Sequence, residues 1–433
     1  MLSAFKKRME PLWKPFLHRA VTGRWELPRL TAMKAPWPSG LQHAGLYLHV
    51  PFCRNLCPFC PYNRKVHTQS SYARFEHGVH TEIDLYAPHL KGTKIDTLYI
   101  GGGTPTVDPE ALVRMVRHIR EAFPGSYDGC VELHPANMDD ACLDLLRGAG
   151  ITRVSIGVES TTNRLLTLLG RSQTAESALG AVRRAVAAGF ESVNVDLMFA
   201  LPTQTLAEWR SDLEAVLSLG VDQVSTYPLF GFPYSERGLE RKLASIERPS
   251  SSLIRSMLAL TQAEAARHHL KQCAVWSWIR PGRSKFSSIT RHHYVGFGPS
   301  AASMIGTAFY VNTFDVDAYA DALTRGRPVA LILPVDRRLE MAYWLYWRVY
   351  ELKVAETEFQ EIFGPDASLE ATFGSVTRLF KALRMVEGNP GGWHITRRGA
   401  YWIHRLQNEY SLNYINRLWG ACRREAWPRE VRL

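Results

Sequence analysis

The stretch Gly45–Cys60, GLYLHVPFCRNLCPFC, decides how the rest of the chain is read. It opens as a short apolar run of strand type and ends in Cys53, Cys57 and Cys60, spaced Cys-x3-Cys-x2-Cys. Three thiolates this close together can hold three irons of a [4Fe–4S] cube, since thiolate is the soft ligand such clusters take. No fourth cysteine follows nearby, so one iron is left open to bind a small molecule. A zinc site wants four protein ligands, commonly as two separated pairs, and His49 and His67 do not extend the motif in that way. Disulfides fit poorly, because seven cysteines in 433 residues is an odd and sparse set.

Outward from this stretch the chain alternates short apolar runs with longer helical patterns. Strands are expected at 45–50, 95–100, 129–133, 153–157, 191–197 and 221–227, and helices near 70–88, 109–122, 139–149, 174–188 and 205–219. Strands separated by helices of this length argue for parallel βαβ units. Gly150, Gly189 and Gly220 stop helices just before the last three strands, and Pro109 starts the second helix, where its missing N–H costs nothing. The expected fold is therefore α/β, a partial (β/α)6 TIM-like barrel. Sites in such folds lie at the carboxyl ends of the strands, and the cysteine loop, Gly101–Thr104, Glu132, Glu159 and Asp196 all fall there.

Past residue 330 the pattern changes. Residues 336–362 read as helical and rich in Trp, Tyr and Glu, followed by a helix over 367–386, a strand-like GGWHIT and a helix from about 397. This is the order of an α-rich winged-helix-like domain. The expected division is a helical extension over 1–44, the barrel over 45–330 and a cap over 331–433. No apolar run of eighteen residues predicts a membrane span, and the N-terminus has no apolar core of secretory type. Free cysteines and an oxygen-labile cluster point to the cytoplasm. The net charge of +11 suits an anionic small molecule better than nucleic acid, because the Lys and Arg are spread rather than massed. The N-terminal mixture of Phe5, Trp13 and Phe16 with Lys6, Lys7, Arg8 and Lys14 suits a membrane surface or a helix packed on the barrel, and packing is the expectation.

Tyr47–Cys53 (YLHVPFC) with Cys57, Phe59 and Cys60 resembles the signature of the radical S-adenosylmethionine (SAM) superfamily, in its HemN-like branch of oxygen-independent coproporphyrinogen III dehydrogenases and their relatives. The blocks YIGGGTPT (99–106), SIGVES (155–160), LGR (169–171), NVDLM (194–198) and GFGPSA (296–301) follow in the branch's order. The resemblance implies that Cys53, Cys57 and Cys60 hold a [4Fe–4S] cluster. It implies that Tyr47, Gly102 and Glu132 contact a first SAM. It implies that Phe59, Gly103, Thr104, Glu159, Arg171 and Asp196 stand where a second SAM is contacted, and that reduced flavodoxin or ferredoxin supplies the electron. From the residues alone, Arg171 and Asp196 also read as a buried ion pair of the barrel.

Three departures matter. Tyr62 stands where the coproporphyrinogen enzyme has a fourth cysteine, and Glu159 where it has glutamine. The heme-chaperone relatives carry His-Asn-x-x-Tyr-Trp before the Gly-x-Gly block, whereas residues 290–298 here read TRHHYVGFG. These departures favour radical methylation or a related alkylation of an anionic or aromatic metabolite. The alternatives are oxidative decarboxylation of coproporphyrinogen III and, further off, heme carriage. A DNA-binding regulator would rest on the C-terminal domain alone.

Overall fold

The computed structural model describes residues 15–229, 249–287, 292–389 and 391–433. Six parallel strands form its centre: β1 (His43–Val50), β2 (Lys94–Gly102), β3 (Asp128–Leu133), β4 (Ile151–Glu159), β5 (Ser192–Phe199) and β6 (Gln223–Pro228). They lie side by side in chain order, each parallel to the next. Helices cover one face, so the strands are nearly continuously buried; in β5 only Asp196 is even partly accessible.

The barrel is not closed. Beyond β1 the sheet continues into β7 (Tyr294–Phe297), parallel to β1, and then into antiparallel β8 (Ala302–Met304), β9 (Ala308–Asn312) and β10 (Val329–Pro334). Arg29–Thr31 and Glu430–Arg432 extend this edge, so segments from both ends of the chain pair within the central sheet. At the other edge Ser277–Ile279 runs antiparallel to β6. These added strands are only a few residues long, too short to show a period in the sequence.

The crossover helices are α1 (Gln69–Tyr86), α2 (Pro109–Ala122), α3 (Asp140–Gly148), α4 (Ala175–Ala187) and α5 (Leu206–Leu217). Each starts on a side chain that caps its free amides: Thr68, Asp108, Asp139, Thr174 and Thr205. Thr205 and Glu208 form a reciprocal capping box. Trp209 of α5 is fully buried, and its indole N–H reaches Met257 O and Thr261 Oγ1 of α6 (Ser251–Arg267). Glu82 of α1 is also fully buried. It accepts from Gly298 N (2.8 Å), Asn312 Nδ2 (2.8 Å) and the hydroxyl of Tyr319 (2.6 Å) on α7 (Val316–Leu323).

The C-terminal region packs around a core of its own, including Trp344, Phe359, Phe373 and Trp393. The helical pattern over 336–362 is two helices rather than one. α8 (Arg337–Tyr350) ends where Leu352 takes a positive φ of 66°, a strand over Lys353–Ala355 follows, and α9 (Glu356–Phe363) starts anew. α10 (Leu369–Ala382), a hairpin of Val386–Asn389 with Gly392–Ile395, and the long α11 (Arg397–Cys422) complete a winged-helix-like unit with a three-stranded sheet.

Residues 15–22 are helical, and Leu17, Ala20 and Val21 pack against the cap core rather than the barrel. Phe5, Lys6, Lys7, Arg8, Trp13 and Lys14 lie outside the described residues, as do Thr290 and Arg291. Among the described residues no helix is long and apolar enough to cross a membrane.

Replacing Glu82 by alanine removes the acceptor shared by three buried donors, of which Asn312 Nδ2 keeps Gly298 O at 3.0 Å, and should cost about 3 kcal/mol. Asp317, which pairs with Lys65 and Arg74 at the surface, should cost under about 1 kcal/mol on the same change. Denaturant melts of the two variants measure both; equal losses would contradict the anchoring role of Glu82.

Candidate functional site

A cleft of about 480 Å³ opens at the carboxyl ends of β1–β6, beneath the cap. Eleven of the twelve residues expected at the site line it: Cys53, Cys57, Phe59, Cys60, Gly102, Gly103, Thr104, Glu132, Glu159, Arg171 and Asp196. Tyr47 sits one layer back, tilted against Tyr99. The Tyr47 hydroxyl lies 2.7 Å from Nδ1 of buried His49, and His49 Nε2 lies 3.1 Å from Asn63 O. Since a carbonyl can only accept, Nε2 carries the proton and Nδ1 accepts from Tyr47. Burial holds the His49 imidazole down at about 4, so it is neutral.

Glycine makes the cleft wall thin. Gly103 N donates to Val50 O at 2.8 Å, and Thr104 N to Phe52 O at 2.7 Å, so the end of β2 is fastened to the cysteine loop. A Cβ on Gly103 would stand 2.6 Å from Phe52 O and 2.9 Å from Cys53 Sγ. Gly102 holds φ at 117°, which a side chain would resist. Its N–H reaches Glu132 Oε2 at 3.2 Å, and Tyr99 OH donates to Glu132 Oε1 at 2.6 Å.

The three thiols are free. Burial pushes Cys60 up to about 11 and raises Cys53, against the pull of the Arg64 guanidinium on both. Arg64 Nε and Nη1 are buried without a partner. Arg171 brings a second guanidinium, with Nη1 3.6 Å from Cys57 Sγ, and Thr104 Oγ1 lies 3.5 Å from Cys53 Sγ. Three free thiols facing two guanidiniums, one of them with orphaned donors, fit an anionic iron–sulfur cluster held by three thiolates. Tyr62, where the coproporphyrinogen enzyme has a fourth cysteine, also lines the cleft; its ring is tilted against Trp419 of α11, 5.9 Å between centroids, and Arg423 Nη2 donates to its carbonyl at 2.6 Å.

The ion pair read from the sequence has other partners. Arg171 Nη2 stands 3.6 Å from Glu159 Oε1 and also donates to Gly157 O. Asp196 is held instead by Ser155 Oγ at 2.6 Å and Asn194 Nδ2 at 2.9 Å. A register shift between Gly157 and Glu159, with Glu159 at φ 68°, ends β4 and places this residue at the cleft. Burial dominates all three cleft carboxyls. It pushes Glu132 and Glu159 to about 7 and Asp196 to about 6, against the hydrogen bonds of Tyr99 on Glu132, the charge of Arg171 on Glu159, and the hydrogen bonds of Ser155 and Asn194 on Asp196. Burial and the charge of Arg171 hold His134, another lining residue, down at about 3.

Sequence reasoning missed Arg64, His134, Lys285 and the aromatic roof of Trp276, Tyr346, Trp347, Tyr350 and Trp419. The Trp- and Tyr-rich run at 343–350 was the available signal, since its period puts Tyr343, Tyr346, Trp347 and Tyr350 on one face of α8.

A family profile described as the radical SAM superfamily matches residues 47–216. The heme chaperone HemW of Mycobacterium tuberculosis is 31% identical over 310 residues, which are 69% of this chain and 77% of that protein. The oxygen-independent coproporphyrinogen III oxidase of Escherichia coli is 29% identical over 307 residues, 65% of this chain and 67% of that protein. The solved structure of the coproporphyrinogen III oxidase HemN from Escherichia coli superposes with a TM-score of 0.73 at 23% identity, covering 86% of this chain and 90% of the other, and so shares the fold. The cofactors are accordingly a [4Fe–4S] cluster and SAM. The chain belongs to the HemN/HemW branch of the radical SAM superfamily.

Proposed function

We propose that this protein is a HemN-type radical SAM enzyme that oxidatively decarboxylates a propionate-bearing tetrapyrrole, with coproporphyrinogen III as the first substrate to test. The observation that carries the reading is the two-sided cleft. One wall holds the cysteine triplet and the carboxylates; the other brings aromatic rings from the cap together with Lys285. Flat conjugated rings stack on aromatic side chains, and carboxylates pair with cations. When bound, the cluster supplies the electron that splits SAM into methionine and a 5′-deoxyadenosyl radical.

The chain's own residues bind, orient and exclude. Cys53, Cys57 and Cys60 hold the cluster, and Arg64 balances its charge. Tyr47, Gly102 and Glu132 serve the SAM at the open iron; Phe59, Gly103, Thr104, Glu159, Arg171 and Asp196 form a second SAM subsite. The cap over residues 331–433 roofs the barrel over 45–330 and keeps water from the cleft, with the helix over 15–22 bracing it through Leu17, Ala20 and Val21. Reduced flavodoxin or ferredoxin delivers the electron, in the cytoplasm. Radical methylation, favoured by the sequence departures, finds no support in the relatives named above and ranks behind decarboxylation. Heme carriage is the second reading, favoured by the identity to the mycobacterial chaperone and weakened by the sequence at 290–298.

Anaerobically reconstituted protein with reductant, SAM, coproporphyrinogen III and a one-electron acceptor should form 5′-deoxyadenosine, which carries off one hydrogen atom, together with a product lighter by carbon dioxide and two hydrogens, the second hydrogen leaving as a proton and its electron going to the acceptor; a Cys57→Ala control should form neither. S-adenosylhomocysteine in place of the lighter product would restore methylation. Stoichiometric heme binding without turnover would establish the chaperone reading.

The raised cleft carboxyls give a signed pH dependence. A cationic ligand needs them ionised, and a carboxyl at about 7 is mostly protonated at pH 6. SAM should therefore bind roughly tenfold more tightly at pH 8 than at pH 6, measured by equilibrium dialysis on cluster-loaded protein. Glu132→Gln should shrink that dependence without abolishing it, since Glu159 and Asp196 remain; a flat profile in the unmodified protein contradicts the assignment.

A further inference from the structure

Away from the cleft, the backbone brings two adjacent imidazoles and one carboxylate to a single point. His292 Nε2 lies 2.8 Å and His293 Nε2 3.0 Å from the same oxygen, Oε1 of Glu340. Among the described residues these three form a group whose candidate ligand atoms all lie within 4.8 Å of one another. We propose that His292, His293 and Glu340 form a binding site for one divalent transition-metal ion of the zinc class, which fastens the cap to the barrel.

The donor set is the first argument. Two imidazoles and one carboxylate make a three-ligand zinc site with a fourth position for water. Around zinc, ligand atoms 2.0–2.1 Å from the ion stand about 3.3 Å apart at the edge of a tetrahedron, so the two histidine–carboxylate distances of 2.8 and 3.0 Å need to open by only a few tenths of an ångström, while the two imidazole ligand atoms already lie within 4.8 Å of one another. Nδ1 of His292 is buried and has no partner, which leaves that ring able to present either nitrogen.

Rigidity is the second argument. His293 is fixed through its carbonyl, which accepts from Gly45 N of β1 at 2.9 Å just before β7 starts. Glu340 stands in the first turn of α8, whose N-terminus is capped by Asp336 through Leu339 N at 2.8 Å. The His292 ring packs edge-on to Phe363 of α9, 5.3 Å between centroids. All three rings and chains are partly sheltered, with side-chain exposures of 12%, 23% and 18%. Ligands held on preset elements bind an ion without the cost of ordering them.

The site is separate from the cluster. His292 and His293 lie at the amino ends of β1 and β7, opposite the end where the cysteine loop stands. Its influence on the cleft would run along α8. Six to ten residues beyond Glu340, about 9–15 Å along the helix axis, Tyr346, Trp347 and Tyr350 line the cleft. An ion at Glu340 therefore fixes the helix that presents these rings, whatever the substrate is.

Cluster-loaded protein, treated with a mild chelator and then dialysed against zinc, is assayed for iron and zinc by elemental mass spectrometry. About one zinc per chain is expected beyond the iron, together with a rise in melting temperature on adding zinc. Glu340→Gln keeps the side chain's size and hydrogen bonding, and His293→Ala removes one ligand; both should lose the zinc and its thermal effect with iron unchanged. Loading with iron intact also reports that each variant is folded. Absence of zinc from the unmodified protein, or zinc retained by both variants, overturns the proposal.

Discussion

The structure depends on how closely the end of β2 approaches the cysteine loop. Gly103 N and Thr104 N are hydrogen-bonded to Val50 O and Phe52 O, and there is no room for a Cβ at Gly103 between Phe52 O and Cys53 Sγ. This contact fixes the loop after β1 at the carboxyl end of the sheet, where a parallel arrangement leaves its strand ends open. The thiols, the glycine wall and the carboxylates of β3, β4 and β5 then face one cleft because each stands at or just past its own strand end. The cap completes the cleft from the far side, and the contact of Tyr62 with Trp419 ties it to the same loop.

Electrostatics follows from that enclosure. Glu132, Glu159 and Asp196 share a buried space, and burial raises all three. The compensating cations are few and specific: Arg171 beside Glu159 and Cys57, and Arg64 beside Cys53 and Cys60. A cleft holding both unsatisfied guanidinium donors and reluctant carboxylates suits ligands that bring both signs of charge. SAM does so, with its carboxylate, amine and sulfonium, and a cluster of net negative charge takes up the arginines.

Much of this was legible in the residues. The six parallel strands and five crossover helices follow from periodicity and punctuation, because helix-stopping glycines and capping Thr and Asp side chains act locally. The cleft set was legible because the motifs sit at strand ends. What stayed hidden depends on contacts distant in sequence. The edge strands at Arg29–Thr31 and Glu430–Arg432 pair with segments remote in the chain and are too short to show a period. Arg171 and Asp196 looked like partners by charge, yet Ser155 and Asn194 satisfy Asp196 while Glu159 meets Arg171. The long helical pattern at 336–362 concealed a break at Leu352, since nothing in its side chain signals a positive φ. The role of α8 in roofing the cleft was signalled only by the spacing of Tyr343, Tyr346, Trp347 and Tyr350 along one face, because which residues it meets depends on contacts distant in sequence.

The central claim is that three cysteines hold a cluster with one iron left for SAM. Electron paramagnetic resonance of the anaerobically reconstituted, reduced protein, recorded with and without SAM, tests it most directly. The account predicts a [4Fe–4S]⁺ signal that changes shape when SAM binds, and its loss in Cys53→Ala. A cluster signal indifferent to saturating SAM, or one that survives removal of Cys53, would contradict it.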